Sequence, residues 1–276
     1  MENAERVNKM YEARKNNEEY PLGHLDDGGA RWYPSFEEKQ PCCDKIRGPS
    51  RNYPNNYLNH CKTKKHIVYV VAQQVRIERL EEAVKKGDIE NIKSVVEEEI
   101  KNSPYKKIDS AFSHPLHVAI EAMKASKMDA PDIIKCLLEK GADLDHTTDG
   151  VTFDHNGKKM HEPSGLHLAV SRNLPETVKV LLEHGADTRL TVKKNSERFA
   201  AIDLAAEVGY DHIVSILANF DKESINSTKA SNINRRRVYP LLAAKRNNQK
   251  STQDLLLKLG ADPNLKGPGN QRAADL

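Results

Sequence analysis

Long apolar runs are missing from this chain of 276 residues. The longest, Ile67-Val68-Tyr69-Val70-Val71-Ala72, falls far short of the roughly 18–20 residues that cross a bilayer, so no membrane span is expected. The opening MENAERVNKMYEARKNNEEY lacks the apolar core of a secretory signal. Cysteine is scarce: Cys42, Cys43, Cys61 and Cys136 are too few for a disulfide scaffold of this length. The expected setting is reducing and cytoplasmic, which leaves open export by a machine that reads another kind of signal. Charge of one sign is missing as well. The 43 Lys+Arg face 40 Asp+Glu, for a net +3 and a pI of about 8.5, which does not describe a dedicated nucleic-acid binder. There is no G-x-x-x-x-G-K-[ST] loop, no H-E-x-x-H helix and no G-x-S-x-G elbow, and no enzyme activity is expected.

What remains is a wet composition, with 38% hydrophobic residues, 30% charged residues and a mean hydropathy of −0.71. An elongated architecture with much surface per residue accounts for it, and so do long polar insertions. Self-comparison favours the first. The phrase His114-Pro115-Leu116-His117-Val118-Ala119 returns as Ser164-Gly165-Leu166-His167-Leu168-Ala169 and as Ala200-Ala201-Ile202-Asp203-Leu204-Ala205. Weaker copies are Tyr239-Pro240-Leu241-Leu242-Ala243-Ala244 and Arg272-Ala273-Ala274-Asp275-Leu276. A second phrase follows at a regular delay: Leu137-Leu138-Glu139-Lys140-Gly141-Ala142-Asp143, Leu181-Leu182-Glu183-His184-Gly185-Ala186-Asp187, then Leu256-Leu257-Lys258-Leu259-Gly260-Ala261-Asp262. Each phrase predicts a short helix with one apolar stripe. Proline at 115, 131, 175 and 240 marks helix starts, where its missing N–H costs nothing. Glycine after each second helix supplies a stop. One such pair cannot shelter its stripe from water, whereas stacked pairs can.

These phrases, T-P-L-H-x-A-like and L-L-x-x-G-A-D, resemble the ankyrin-repeat signature, over roughly residues 76–276. The resemblance implies an all-α fold class: a solenoid of about five stacked helix-turn-helix pairs with β-hairpin loops, the last pair incomplete. Leu80 to Ile92 reads as an opening, capping repeat. Residues 1–75 do not follow the repeat and are expected to form an irregular segment that caps the solenoid. The last copy stops within its first helix at Leu276, and the natural chain is expected to continue past it.

The fourth position of successive copies falls at 117, 167, 203, 242 and 275, against an ideal period of about 33. The first step therefore holds a large insertion and the third a modest one. Part of the first is Ala125 to Ala130, placed between helices. The rest is a loop near 146–163 whose stretch Val151 to His161 alternates around Asn156-Gly157 and predicts a protruding β-hairpin finger.

Cys42, Cys43, His60, Cys61 and His66, with His24 upstream, have the chemistry of zinc ligands. No C-x₂₋₄-C pair exists, however, and adjacent cysteines fit one ion poorly. Buried thiols and ordinary loop histidines are the favoured reading, and no metal or cofactor is assigned. A Cys–His nucleophile pair lacks a legible orienting group. The repeated His117 and His167 are, by the resemblance, hydrogen-bonded ties between neighbouring turns; their replacement by Asp203 and Leu242 argues against a shared metal site. Cys136 is expected to be a small core hydrophobe. Lys158-Lys159, Lys193-Lys194 and Arg235-Arg236-Arg237 are read as solvated loop charges, available to an acidic or phosphate-bearing partner.

The expected function is that of a protein-binding adaptor that uses the concave face and loop tips of the solenoid. Phe153, His155, Lys158 and Met160 on the finger, with Lys193, Arg198 and Arg236 on later loops, are the expected contacts. Nucleic acid is the weaker partner class, because no aromatics interleave with the basic clusters. Deletion of 151–161 is expected to weaken partner capture without moving the thermal transition. The alternative is the substrate-targeting part of a larger enzyme or secreted bacterial effector whose active domain lies outside this chain.

Overall fold

The computed structural model describes residues 64–102, 108, 114–147, 151–154, 157–227 and 237–276. The expected N-terminal cap, and with it Cys42, Cys43, His60 and Cys61, lies outside them. Helix α1 spans Lys64–Lys86, so residues 64–75 of the segment expected to be irregular are helical. It is followed by α2, Ile89–Asn102, and by the pairs α3, Pro115–Ser126, with α4, Pro131–Glu139, and α5, Gly165–Ser171, with α6, Pro175–Glu183. The last pairs are α7, Ala201–Val208, with α8, Asp211–Phe220, and α9, Pro240–Arg246, with α10, Lys250–Lys258.

The pairs stack in two rows. The first helices α1, α3, α5, α7 and α9 pack successively on one another, the second helices α2, α4, α6, α8 and α10 do the same, and the 3₁₀ turn Ala273–Asp275 packs on α9. Leu116, Ile120, Leu168, Leu204 and Leu241 of the first row are buried with Ile134, Val178, Leu181, Leu217 and Leu256 of the second. Cys136 is buried in the same core.

Local chemistry sets the boundaries. Pro115, Pro131, Pro175 and Pro240 occupy first turns. Gly141, Gly185 and Gly260 sit at positive φ of 84°, 89° and 91°, and each begins the same closure. For α4, Gly141 N–H donates to Leu138 O at 2.8 Å and Ala142 N–H to Leu137 O at 3.1 Å, the paired bonds of a Schellman stop. Of Ala125 to Ala130, expected between α3 and α4, Ala125 and Ser126 extend α3, which has 12 residues against 7 or 8 in α5, α7 and α9, and residues 127–130 lie between the helices as expected.

Polar ties join each pair to the next. His117 Nε2 donates to Pro163 O at 2.9 Å, and His167 Nε2 to Leu190 O at 3.1 Å. The other ring nitrogen of His167 faces Ser164, 2.8 Å from its Oγ and 3.3 Å from its N–H. In the third copy Asp203 accepts from Ala200 N–H at 2.7 Å and pairs with Arg237 Nε at 3.4 Å, both side chains fully buried. Asp129 reaches forward to cap α6, accepting from Glu176 N–H at 2.7 Å and Thr177 N–H at 3.0 Å. Burial lowers the pKa of His117 and His167 to about 4. His114, stacked on His146 at 4.2 Å, is lowered to about 3 by burial and then by its histidine neighbours. Asp203 moves the other way, raised by burial to about 7 against the pull of Arg237.

The predicted finger is part of something larger. Strand β1, Val151–Phe153, pairs antiparallel with β2, Lys159–His161. A second hairpin, β3, Thr191–Lys194, and β4, Glu197–Ala200, joins it through His161 opposite Lys193. The result is one four-stranded antiparallel sheet in the order β1-β2-β3-β4.

Candidate functional site, an outward-facing sheet

Pleating sends alternate residues to opposite faces, and residues directly opposite on neighbouring strands share a face. One face of this sheet belongs to the core: Met160 and Val192 are fully buried and Phe199 nearly so. Met160, expected among the partner contacts, is therefore corrected to a core residue. Its parity explains this, since it lies between Lys159 and His161 and cannot share their face.

Charged clamps hold that inner face to the ends of three successive first helices. Arg172, just past α5, donates from Nη1 to Phe153 O at 2.7 Å and from Nη2 to Glu121 of α3 at 2.7 Å. Glu207, in the last turn of α7, takes Lys194 Nζ at 2.5 Å, and the same ammonium pairs with Asp154. Lys194 is 1% exposed, Asp154 5% and Glu207 6%. Arg246, the last residue of α9, reaches Glu197 from Nη1 at 2.9 Å. Arg172 and Arg246 stand where a helix C-terminus favours a cation, and Lys194 supplies the counter-charge for Glu207. The hairpins are thus laid against the first-helix row and do not project as a free finger.

Two basic runs read as solvated are split by this arrangement. Lys194 leaves its neighbour Lys193 at the surface and goes inside. Arg237 is fully buried, donating to Ser227 O at 2.8 Å and Ser224 O at 2.6 Å, while Arg235 and Arg236 lie outside the described residues, as does His155. The run Lys158-Lys159 is exposed as expected.

The outward face carries Phe153 opposite Lys159, then His161, Lys193 and Arg198 in one cross-strand row. Lys159 and Lys193 are exposed; Phe153, His161 and Arg198 are half-buried; Lys158 is exposed beside them. Arg198 donates to Glu162 at 3.2 Å and to Thr191 O at 3.3 Å. Four expected contacts, Phe153, Lys158, Lys193 and Arg198, are thereby brought to one surface. Lys159 and His161 join them, and strand parity with Phe153 would have found both. Arg172, Asp154 and Glu207 carried no local signal, because their partners are remote in sequence.

Other chemistry is thin. An open cleft of about 380 Å³ lies between α8 and α10, but its Ser251 is spent on Asp211 and its Ser215 on the Asp211 carbonyl. Among the described residues no His, Cys, Asp and Glu cluster has metal-holding geometry. None of their helices is long and apolar enough to cross a membrane.

A family model described as ankyrin repeats (3 copies) matches residues 123–229 and 166–267, together more than half of the chain. No curated protein matches in sequence. Among solved structures, the ankyrin repeat domain of Bcl-3, a member of the IkappaB protein family, superposes with a TM-score of 0.50 at 20% identity. That match covers 71% of this chain and 77% of the Bcl-3 domain, and it supports the fold alone. Repeat phrases, stacked helix pairs and family model agree: the chain belongs to the ankyrin-repeat family, and its solenoid is a protein–protein interaction domain.

Proposed function

We propose that the chain is an intracellular adaptor that docks a partner protein on the outward face of its four-stranded sheet. The observation that carries this reading is the set of clamps from α5, α7 and α9, which fix the sheet by its inner face and leave the other face ordered before any partner arrives. A preformed surface loses little conformational entropy on binding. Phe153, Lys158, Lys193 and Arg198 remain the proposed contacts, with Lys159 and His161 added. His155 and Arg236 stay proposed from loop position alone.

A photo-crosslinking residue placed at Lys193 tests this in extract of the cells where the protein acts. It should enrich a protein that the same residue at Lys135, half-buried on the outer side of α4, does not. Equal recovery from both positions would remove the sheet as the docking site.

A further inference from the structure

We propose that the partner segment seated on this sheet is acidic and extended, a stretch of protein rich in Asp and Glu. This rests on the docking reading above and narrows it to one chemistry.

The observation is a cluster of basic side chains facing one another across strands. On the helices some lysines sit beside carboxylates, Lys86 with Glu82 at 2.8 Å, Lys93 with Glu90 at 2.9 Å, Lys140 with Glu97 at 2.6 Å and Lys179 with Glu176 at 2.8 Å, while others, such as the exposed Lys124 and Lys258, stand singly and apart from one another. The inner face of the sheet is matched too, Lys194 with Asp154 and Glu207 and Arg246 with Glu197. On the outward face Arg198 is matched by Glu162, but Lys159 and Lys193 have no such carboxylate among the described residues. Lys193 stands directly opposite Arg198 on one side and His161 on the other, and like charges facing across strands are destabilising. No ion pair forms at Lys159 or Lys193 among the described residues; Glu162 meets Arg198, and Glu207 reaches Lys158 only at 3.9 Å.

Adjacent strands are about 4.8 Å apart, so the cationic ends step across the face at that interval. An extended chain presents same-side residues about every 6.8 Å, a spacing that long, flexible lysines can follow. Phe153 beside Lys159 offers an apolar contact to a residue between the acids. Nucleic acid fits less well, because Phe153 is the one Phe, Tyr or Trp on this face among the described residues and the chain as a whole is only +3, while single strands favour several stacking rings in a strongly positive groove.

The test is fluorescence anisotropy on the full chain with a fluorescein-labelled peptide of consecutive glutamates, against an oligothymidylate of equal charge. The peptide should bind, less tightly as salt rises, and the double variant K159E/K193E should weaken it about tenfold or more. The control K135E/K179E on α4 and α6 should not. A thermal melt of K159E/K193E should match the parent or exceed it, since Lys193→Glu turns a repulsive pair with Arg198 into an attractive one. Absence of peptide binding, equal loss in both variants, or tighter oligothymidylate binding through Lys159 and Lys193 would overturn the proposal. If crosslinking at position 193 captures a protein, and affinity-tagged K159E/K193E pulls that protein down as well as the tagged parent does, the acidic chemistry fails while the docking surface stands. If Lys193 captures nothing beyond the control, the docking reading itself fails.

Discussion

His117, His167 and Asp203 occupy one repeat position and meet three different demands. Each ties its helix to the chain entering the next pair, and each is buried. For His167 the geometry requires a neutral ring: Nε2–H donates to Leu190 O, while the opposite nitrogen accepts from Ser164 N–H. A second ring proton would point at that N–H. The pH consequence follows from the folded pKa values of about 4 for His117 and His167 and about 3 for His114, all below the ordinary histidine value of about 6.5. Between those limits the unfolded chain binds more protons, so stability is full above pH ~6.5 and is lost as pH falls through the folded values. Asp203, at about 7, acts oppositely: its folded form keeps a proton that the unfolded form has shed, which lowers stability as pH rises from about 4 to 7. Three groups oppose one. Calorimetric melts should show Tm falling continuously from pH 6.5 to pH 4, and His167→Gln should flatten that slope. A Tm that is constant or rising over this interval would contradict the assignment.

At the scale of elements, the buried Lys194 decides how the hairpins sit. Lys194→Met takes from the buried Asp154 and Glu207 the ammonium they share, a defect worth about 3–5 kcal/mol, and should lower Tm by roughly 10 °C. Adding Asp154→Asn and Glu207→Gln removes both stranded charges and should recover much of the loss; no recovery in the triple variant would show that the triad is not the clamp. The same contacts revise the expectation for deleting 151–161. That cut removes Met160 from the core and Asp154 from Lys194, so the thermal transition should move with it. Here the limits of sequence are physical. Helix starts, glycine stops and the first hairpin are local and were legible, down to Asn156-Gly157 between paired strands. The second hairpin was not, because Thr191 to Ala200 has Asn195-Ser196 at its turn, both at positive φ, without the Asn-Gly signature. Nor could charge runs reveal that Lys194 and Arg237 turn inward, since their counter-charges lie on other elements of the fold.

For the whole molecule, an ideal solenoid couples only neighbours, and its stability is a sum of repeats and interfaces. The period and its insertions were readable because every copy uses the same packing solution. What the period omits is the sheet, a strap along the middle of the stack. His161 pairs with Lys193, Phe199 bridges to Val238, Arg172 joins α3 to β1, and Arg246 joins α9 to β4. Pairs α5–α6 and α7–α8 are therefore held by their helix interfaces and by a common roof, while α10 shows Leu257 47% exposed and has no second-row helix beyond it among the described residues. Hydrogen exchange should divide the chain accordingly. Backbone amides of α5 and α7 should open together, near the global free energy of unfolding, while those of α10 open first. Lys194→Met should lower protection in α5 and α7 by equal amounts, because the roof is cut for both. If α5 keeps its protection while α7 loses it, the sheet contributes no coupling along the stack, and the repeats behave as an ordinary nearest-neighbour array.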